Sequence, residues 1–150
     1  MGIWRTITER GASFVDAATR LGTFDVERDI EAPAEVVWDI LVDVDTWPDW
    51  GPSVADVELD EPRLYDEARG RVLSAAGIWM SFEVTEWDEG ARWVWDVEGV
   101  RATGHRVEVL DEQRCRLVFE VPTVAAPYAF VCRRAANTIA RMAEDGVWTK

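Results

Sequence analysis

The sequence is poor in the residues that most often carry chemistry. Its 150 positions hold one lysine, Lys150, one histidine, His105, and two cysteines, Cys115 and Cys132. One histidine and two distant thiols cannot supply the His/Cys cluster of a zinc site. The cysteines lack C-x-x-C spacing and read as small buried apolar residues rather than a redox pair. No apolar run approaches the ~18 residues of a membrane span. No stretch near Met1 resembles a signal h-region, so a cytoplasmic setting is expected. Ser13, Ser53, Ser74 and Ser81 lie outside any nucleophile-elbow context. Gly99-x-x-x-x-Gly104-His105 lacks the Lys-Ser/Thr end of a phosphate loop and falls between strands. No cofactor or metal is expected.

What the chain has in excess is acid. Twenty-nine Asp and Glu against sixteen Lys and Arg leave a net charge of -13, which argues against nucleic acid and anionic membranes as partners. All the basic residues but one are arginine. High acid with almost no lysine resembles proteins of salt-loving microbes, in which carboxylates keep the surface hydrated while salt screens their repulsion. A high-GC genome that replaces lysine with arginine is the alternative. Either way the acid describes solvent rather than substrate. A chain of this length buries roughly 68–70% of its unfolded surface, enough for one core.

Residues 24–54 set the architecture. Phe24, Val26, Arg28 and Ile30 alternate with Asp25, Glu27, Asp29 and Glu31, the period of a strand with one largely apolar face. Pro33 suits a helix start, and Glu35 favours the positive end of the helix dipole. Val37, Ile40, Leu41 and Val44 then recur at helical spacing. Trp47-Pro48-Asp49-Trp50-Gly51-Pro52 forces a compact corner that two indoles can pin.

This run, I-x-A-P-A-E-V-V-W-D-I-L followed by W-P-D-W-x-P-x-V, resembles the opening of the START-like (SRPBCC) superfamily in its polyketide cyclase/dehydrase-like branch. The resemblance covers Thr23 to the end of the chain. It implies an α+β helix-grip fold: a curved antiparallel sheet of about seven strands wrapped around a long C-terminal helix, two short helices after the first strand, and a cavity between sheet and helix. It says little about activity.

The remainder reads as a meander. Strands are expected at Val54–Asp60, Glu67–Ser74, Gly77–Trp87, Ala91–Glu98, Arg101–Leu110 and Arg114–Val121. Asp88-Glu89-Gly90 is a hairpin turn and Gly99-Val100 a tight connection. Trp93, Trp95 and Val97 share one face, as do Cys115, Leu117, Phe119 and Val121. The opposite faces carry Arg and Glu that can pair across a solvated convex surface, so the apolar sets are assigned to the concave one. Ile78, Met80, Phe82 and Val84 are assigned inward, with a bulge able to switch that register. From about Ala126 the period is helical, with Val124, Tyr128, Val131, Ala135, Ile139 and Met142 on one stripe. Alanines thin its inner flank, which allows either room for a ligand or close helix-on-sheet packing without a void.

Nine tryptophans are present. Trp38, Trp47 and Trp50 are expected to brace the corner, while Trp93 and Trp95 offer flat apolar walls with one N–H donor each. Candidate ligand-binding residues are Phe82, Trp93, Trp95, His105, Val107, Phe119, Tyr128, Val131 and Ala135. His105 shares a face with Val107 and Val109. Three roles are open to it: a hydrogen-bonded core residue, a group that orients a ligand, or a general acid/base. Arg101 and Thr103 share its register and extend a polar patch.

Residues 1–22 precede the 23–150 domain as an extension with near-helical spacing at Trp4, Ile7, Phe14, Ala18 and Leu21. Packing helix, lid and homodimer contact are the roles open to it, and packing is preferred. Two functions fit the sequence, with a protein-interaction module as a third if tryptophans fill the cavity. One is binding or carriage of a small hydrophobic molecule, such as a lipid, isoprenoid or polyketide-like compound. The other is a cyclase/dehydratase-like enzyme using His105. The lack of a second acid/base group favours binding.

Overall fold

The computed structural model describes residues 22–146. The expected helix over residues 1–22, and Trp4 and Trp148 with it, lie outside the described residues, Gly22 excepted. One antiparallel sheet of seven strands runs in the order β1-β7-β6-β5-β4-β3-β2. Its strands are β1 (Thr23–Ile30), β2 (Val54–Glu58), β3 (Arg69–Ser74), β4 (Trp79–Asp88), β5 (Arg92–Val97), β6 (Val100–Asp111) and β7 (Arg114–Pro122). Helices α1 (Ala34–Val42) and α2 (Trp47–Trp50) come after β1, and α3 (Ala129–Glu144) closes the fold. This is the helix-grip architecture expected from the opening motif.

Local chemistry explains the start of the chain. Val26 and Ile30 are buried on the inner face of β1, and Arg28 between them reaches Asn137 on α3 at 2.5 Å. Pro33 precedes α1 in an extended conformation, and Val37, Trp38, Ile40, Leu41 and Val42 are buried. A 3-10 turn, Val44–Thr46, leads into α2. The corner is pinned as the indoles allow: Trp47 Nε1 donates to the Leu41 carbonyl at 2.9 Å, and Trp50 Nε1 to Thr46 Oγ1 at 3.0 Å.

The alternation in β7 holds throughout, with Cys115, Leu117, Phe119 and Val121 all buried. Both thiols are buried and free, and burial pushes them up to about 11 at Cys115 and about 12 at Cys132.

Several expectations are corrected. Ile78 does not face inward; it precedes β4 and is 61% exposed. A bulge between Val84 and Glu86 flips the second half of β4, because one extra residue reverses the side-chain alternation. Trp87 is thereby turned inward against Trp38, ring centroids 5.5 Å apart. The β5–β6 turn is centred on Glu98-Gly99 rather than Gly99-Val100. Both residues have positive φ, 53° and 76°, the conformation of a two-residue type I′ hairpin. The last helix starts at Ala129, because Thr123–Tyr128 wind as a 3-10 segment with Ala125 out of helical geometry. Val124 is consequently exposed.

The convex face is less solvated than its composition implies. Val94 and Val118 are fully buried there, and Glu120 is 6% exposed. Glu120 takes 2.8 Å and 3.0 Å bonds from Arg92 and a 2.5 Å bond from Arg106. β6 lies between β5 and β7, so the carboxylate must pass over it. Gly104 makes this possible, since a Cβ there would sit 2.5 Å from Glu120 Oε1.

Candidate functional site

The position of α3 decides where empty space lies. It packs over β1 and β7, and its inner flank is thin because Ala135, Ala136 and Ala140 are buried with Cys132 and Ile139. Two adjoining chambers remain, an inner one beneath the first turns of α3 and an outer one over β3 to β6. The outer has a volume of about 340 Å³ and is walled by Val72 and Met80 of β3 and β4, Val97 and Val100 at the β5–β6 turn, and Pro122 and Ala125 before α3. That lies within the size range of small-molecule sites. The inner chamber, about 30 Å³, is bounded by Trp47, Trp50, Trp93, His105, Phe119 and Val131. It has room for roughly one water. Ser53, Val54, Trp95, Thr103 and Tyr128 border both.

An aromatic stack forms the inner wall. Trp93 lies between Trp47, at 5.6 Å and 8°, and His105, at 3.8 Å and 19°. Phe119 meets the imidazole edge-on at 5.2 Å.

The hydrogen bonds of this wall have a definite direction. His105 Nδ1 is 3.3 Å from the Trp93 carbonyl, which only accepts, so Nδ1 carries the proton. Nε2, 3.0 Å from Thr103 Oγ1, therefore accepts the threonine hydrogen. Thr103 Oγ1 in turn accepts from Trp95 Nε1 at 3.1 Å. His105 is 2% exposed, and burial depresses its pKa to about 3. The ring is neutral, satisfied at both nitrogens and stacked.

This has a measurable consequence. The unfolded chain binds a proton at His105 near pH 6.5, while the folded ring does so only near 3. Between those values the unfolded state holds more protons, so stability drops as the pH drops, by about 1.4 kcal/mol per unit. From pH 7.5 to 5.0 the loss from this residue is about 2 kcal/mol. His105→Phe should remove that slope in urea unfolding measured across the same range. An unchanged slope in the variant would assign it to other groups.

Seven of the nine residues singled out from sequence border the chambers: Trp93, Trp95, His105, Phe119, Tyr128, Val131 and Ala135. Phe82 and Val107 do not. Phe82 is packed between Trp47, at 5.8 Å, and Trp95, at 5.3 Å, and Val107 is buried core. Thr103 extends the polar wall as expected, but Arg101 leaves the His105 register. The ladder shifts between Gly104 and Arg101, and Arg101 Nη1 bonds Glu86 at 3.1 Å, beside Arg92. Sequence reasoning misses Ser53, Val54, Val72, Met80, Val97, Val100, Pro122 and Ala125, and gives Trp47 and Trp50 only a bracing role. Alternation carries a signal for Met80 and Val97; nothing local marks the rest. Among the described residues, no group of three His, Cys, Asp or Glu side chains is placed to hold a metal ion, and no helix is long and apolar enough to cross a membrane.

The family profile described as polyketide cyclase / dehydrase and lipid transport matches residues 22–147. No curated relative matches the sequence. Among solved structures, the Zhui aromatase/cyclase from Streptomyces sp. R1128 is similar at a TM-score of 0.64 and 18% identity, over 85% of this chain and 96% of that one. The di-domain aromatase/cyclase StfQ of steffimycin biosynthesis gives 0.63 and 15%, over 83% of this chain and 46% of that one. The XoxI protein from Bacillus cereus gives 0.63 and 11%, over 85% and 99%. At these identities the likeness is one of fold.

Proposed function

The chain belongs to the polyketide cyclase / dehydrase and lipid transport family, and from that premise we propose that it binds or carries a small hydrophobic molecule between the sheet and α3. The observation that carries the reading is the 340 Å³ outer chamber with its largely aliphatic and aromatic wall. Filling an apolar hollow of that size with hydrocarbon removes apolar surface from solvent at about 25 cal/mol per Å².

The enzymatic alternative, cyclisation or dehydration with His105 as acid/base, draws on the aromatase/cyclase likeness. The geometry of His105 weighs against it. A general acid/base works best with a pKa near the operating pH and a free nitrogen facing substrate, whereas this ring is neutral with both nitrogens engaged. A positioning role for the imidazole, holding Thr103 and through it Trp95, fits better.

A hydrophobic fluorophore should therefore quench tryptophan emission saturably. Trp95→Ala should weaken that binding about tenfold, the weight of about 1.4 kcal/mol, because the indole borders both chambers. Quenching without saturation would remove the proposal. Native mass spectrometry of the purified protein gives an independent check by revealing a co-purifying molecule.

A further inference from the structure

The hydrogens on the polar side chains of the cavity are mostly spent within its wall, and those left over sit on neutral groups. Trp95 Nε1–H is spent on Thr103, the Thr103 hydrogen on His105, and the His105 hydrogen on the Trp93 carbonyl. Trp47 and Trp50 donate to Leu41 and Thr46. Ser53 Oγ and Tyr128 Oη lie 2.7 Å apart, at the junction of the two chambers. Two hydroxyls joined by one hydrogen bond always leave one O–H unspent. Tyr128 is 38% exposed, and the sheltered side of its ring holds the phenol above its ordinary pKa, so it keeps its proton. Trp93 lines the inner chamber, and its buried Nε1–H has no partner among the described residues. Ser74, on the outer wall, accepts from the Ile78 N–H at 3.2 Å, and its own hydrogen is one more donor.

Every unspent hydrogen is thus a neutral donor, and no cation among the described lining residues is free to receive an anion. Arg101 is the one cation there, and the ladder shift turns its guanidinium to the outer face, where it pairs with Glu86. A carboxylate in the cavity would lose hydration without gaining a cationic partner, in a chain of net charge -13.

We infer that the cavity selects an uncharged ligand whose polar group is a hydrogen-bond acceptor, a ketone, ester or ether oxygen, received at the chamber junction by the Ser53–Tyr128 hydroxyl pair. This rests on the binding function proposed above and narrows it. Fatty acids and other carboxylates are disfavoured; neutral oxygenated aromatics, terpenoids and esters of matching size are favoured.

Three bicyclic probes test this by calorimetry at pH 7.5: naphthalene, 2-acetylnaphthalene and 2-naphthoate, the last two nearly equal in shape. The ketone should bind about fivefold tighter than the hydrocarbon, the weight of one neutral hydrogen bond, and about tenfold tighter than the carboxylate. In the double variant Ser53→Ala/Tyr128→Phe the ratio of ketone to naphthalene affinity should fall to about one. Each single variant keeps part of the preference, because the surviving hydroxyl is released. Carboxylate binding as tight as that of the ketone in the unmodified protein overturns the inference while naphthalene binding leaves the cavity function standing. So does a ketone preference that survives the double variant. Failure of all three probes to bind removes both.

Discussion

Replacing Trp93 with alanine is expected to destabilise the protein by about 3–5 kcal/mol, the range for emptying a fully buried large aromatic site. Trp93 is 1% exposed and touches three other rings, Trp47, Trp95 and His105. Its neighbours cannot collapse into the gap. Trp47 is tied by its N–H to Leu41, and the imidazole by Thr103 and the Trp93 backbone carbonyl. The void opened would join the inner chamber, so added indole should restore part of the lost thermal stability. The checks are urea unfolding and a melting curve with and without indole. A loss under about 1 kcal/mol would show that the stack is decoration on a core held elsewhere.

The second large effect lies on the opposite face of the same strands. Glu120→Ala should cost about 3 kcal/mol, the low end of the range for removing one partner of a buried ion pair. Burial alone would raise the Glu120 carboxyl, yet Arg92 and Arg106 hold it below the ordinary value, so the ionised form is the native one. The cost sits at the low end because the two guanidiniums retain Glu86, Glu108 and Asp25. By contrast Arg71–Glu58, with both side chains about half exposed, is worth at most about 1 kcal/mol. Unfolding in low and high salt separates the two: the Glu120 loss should persist at about 1 M salt, where an exposed pair is screened. Gly104→Ala should reproduce much of the loss, because the added Cβ displaces the Glu120 carboxylate. Stability unchanged in both variants would mean that the outer network is only surface charge.

Both residues are legible in part. The alternation of Trp93-Val94-Trp95 and Leu117-Val118-Phe119 places the aromatic wall, because a strand has only two faces and one of them is charged. The same logic misjudges the outer face. Charge reads as solvation, while Glu120 is buried beneath its partners, and Gly104, part of a chance phosphate-loop match, gives it passage.

Parity fails wherever an extra residue enters a strand. The shift after Val84 turns Trp87 inward, and the shift before Gly104 turns Arg101 outward. No glycine or proline marks the first of these, and the glycine beside the second is already accounted for by Glu120. Phe82 and Val107 do face inward and still border no cavity, because facing inward does not say whether a neighbour fills the space.

The sequence alone determined the order of elements, the inward set on β1, β5 and β7, the indole-pinned corner and the thin flank of the last helix. Those are products of periodicity, proline and side-chain size, which act over a few residues. Only the tertiary structure decided where the hollow is. That depends on α3 lying over β1 and β7 rather than across the whole sheet, and on residues from Ser53 to Tyr128 meeting at one junction. Such contacts join positions far apart in the chain, and no local pattern encodes the distance between them.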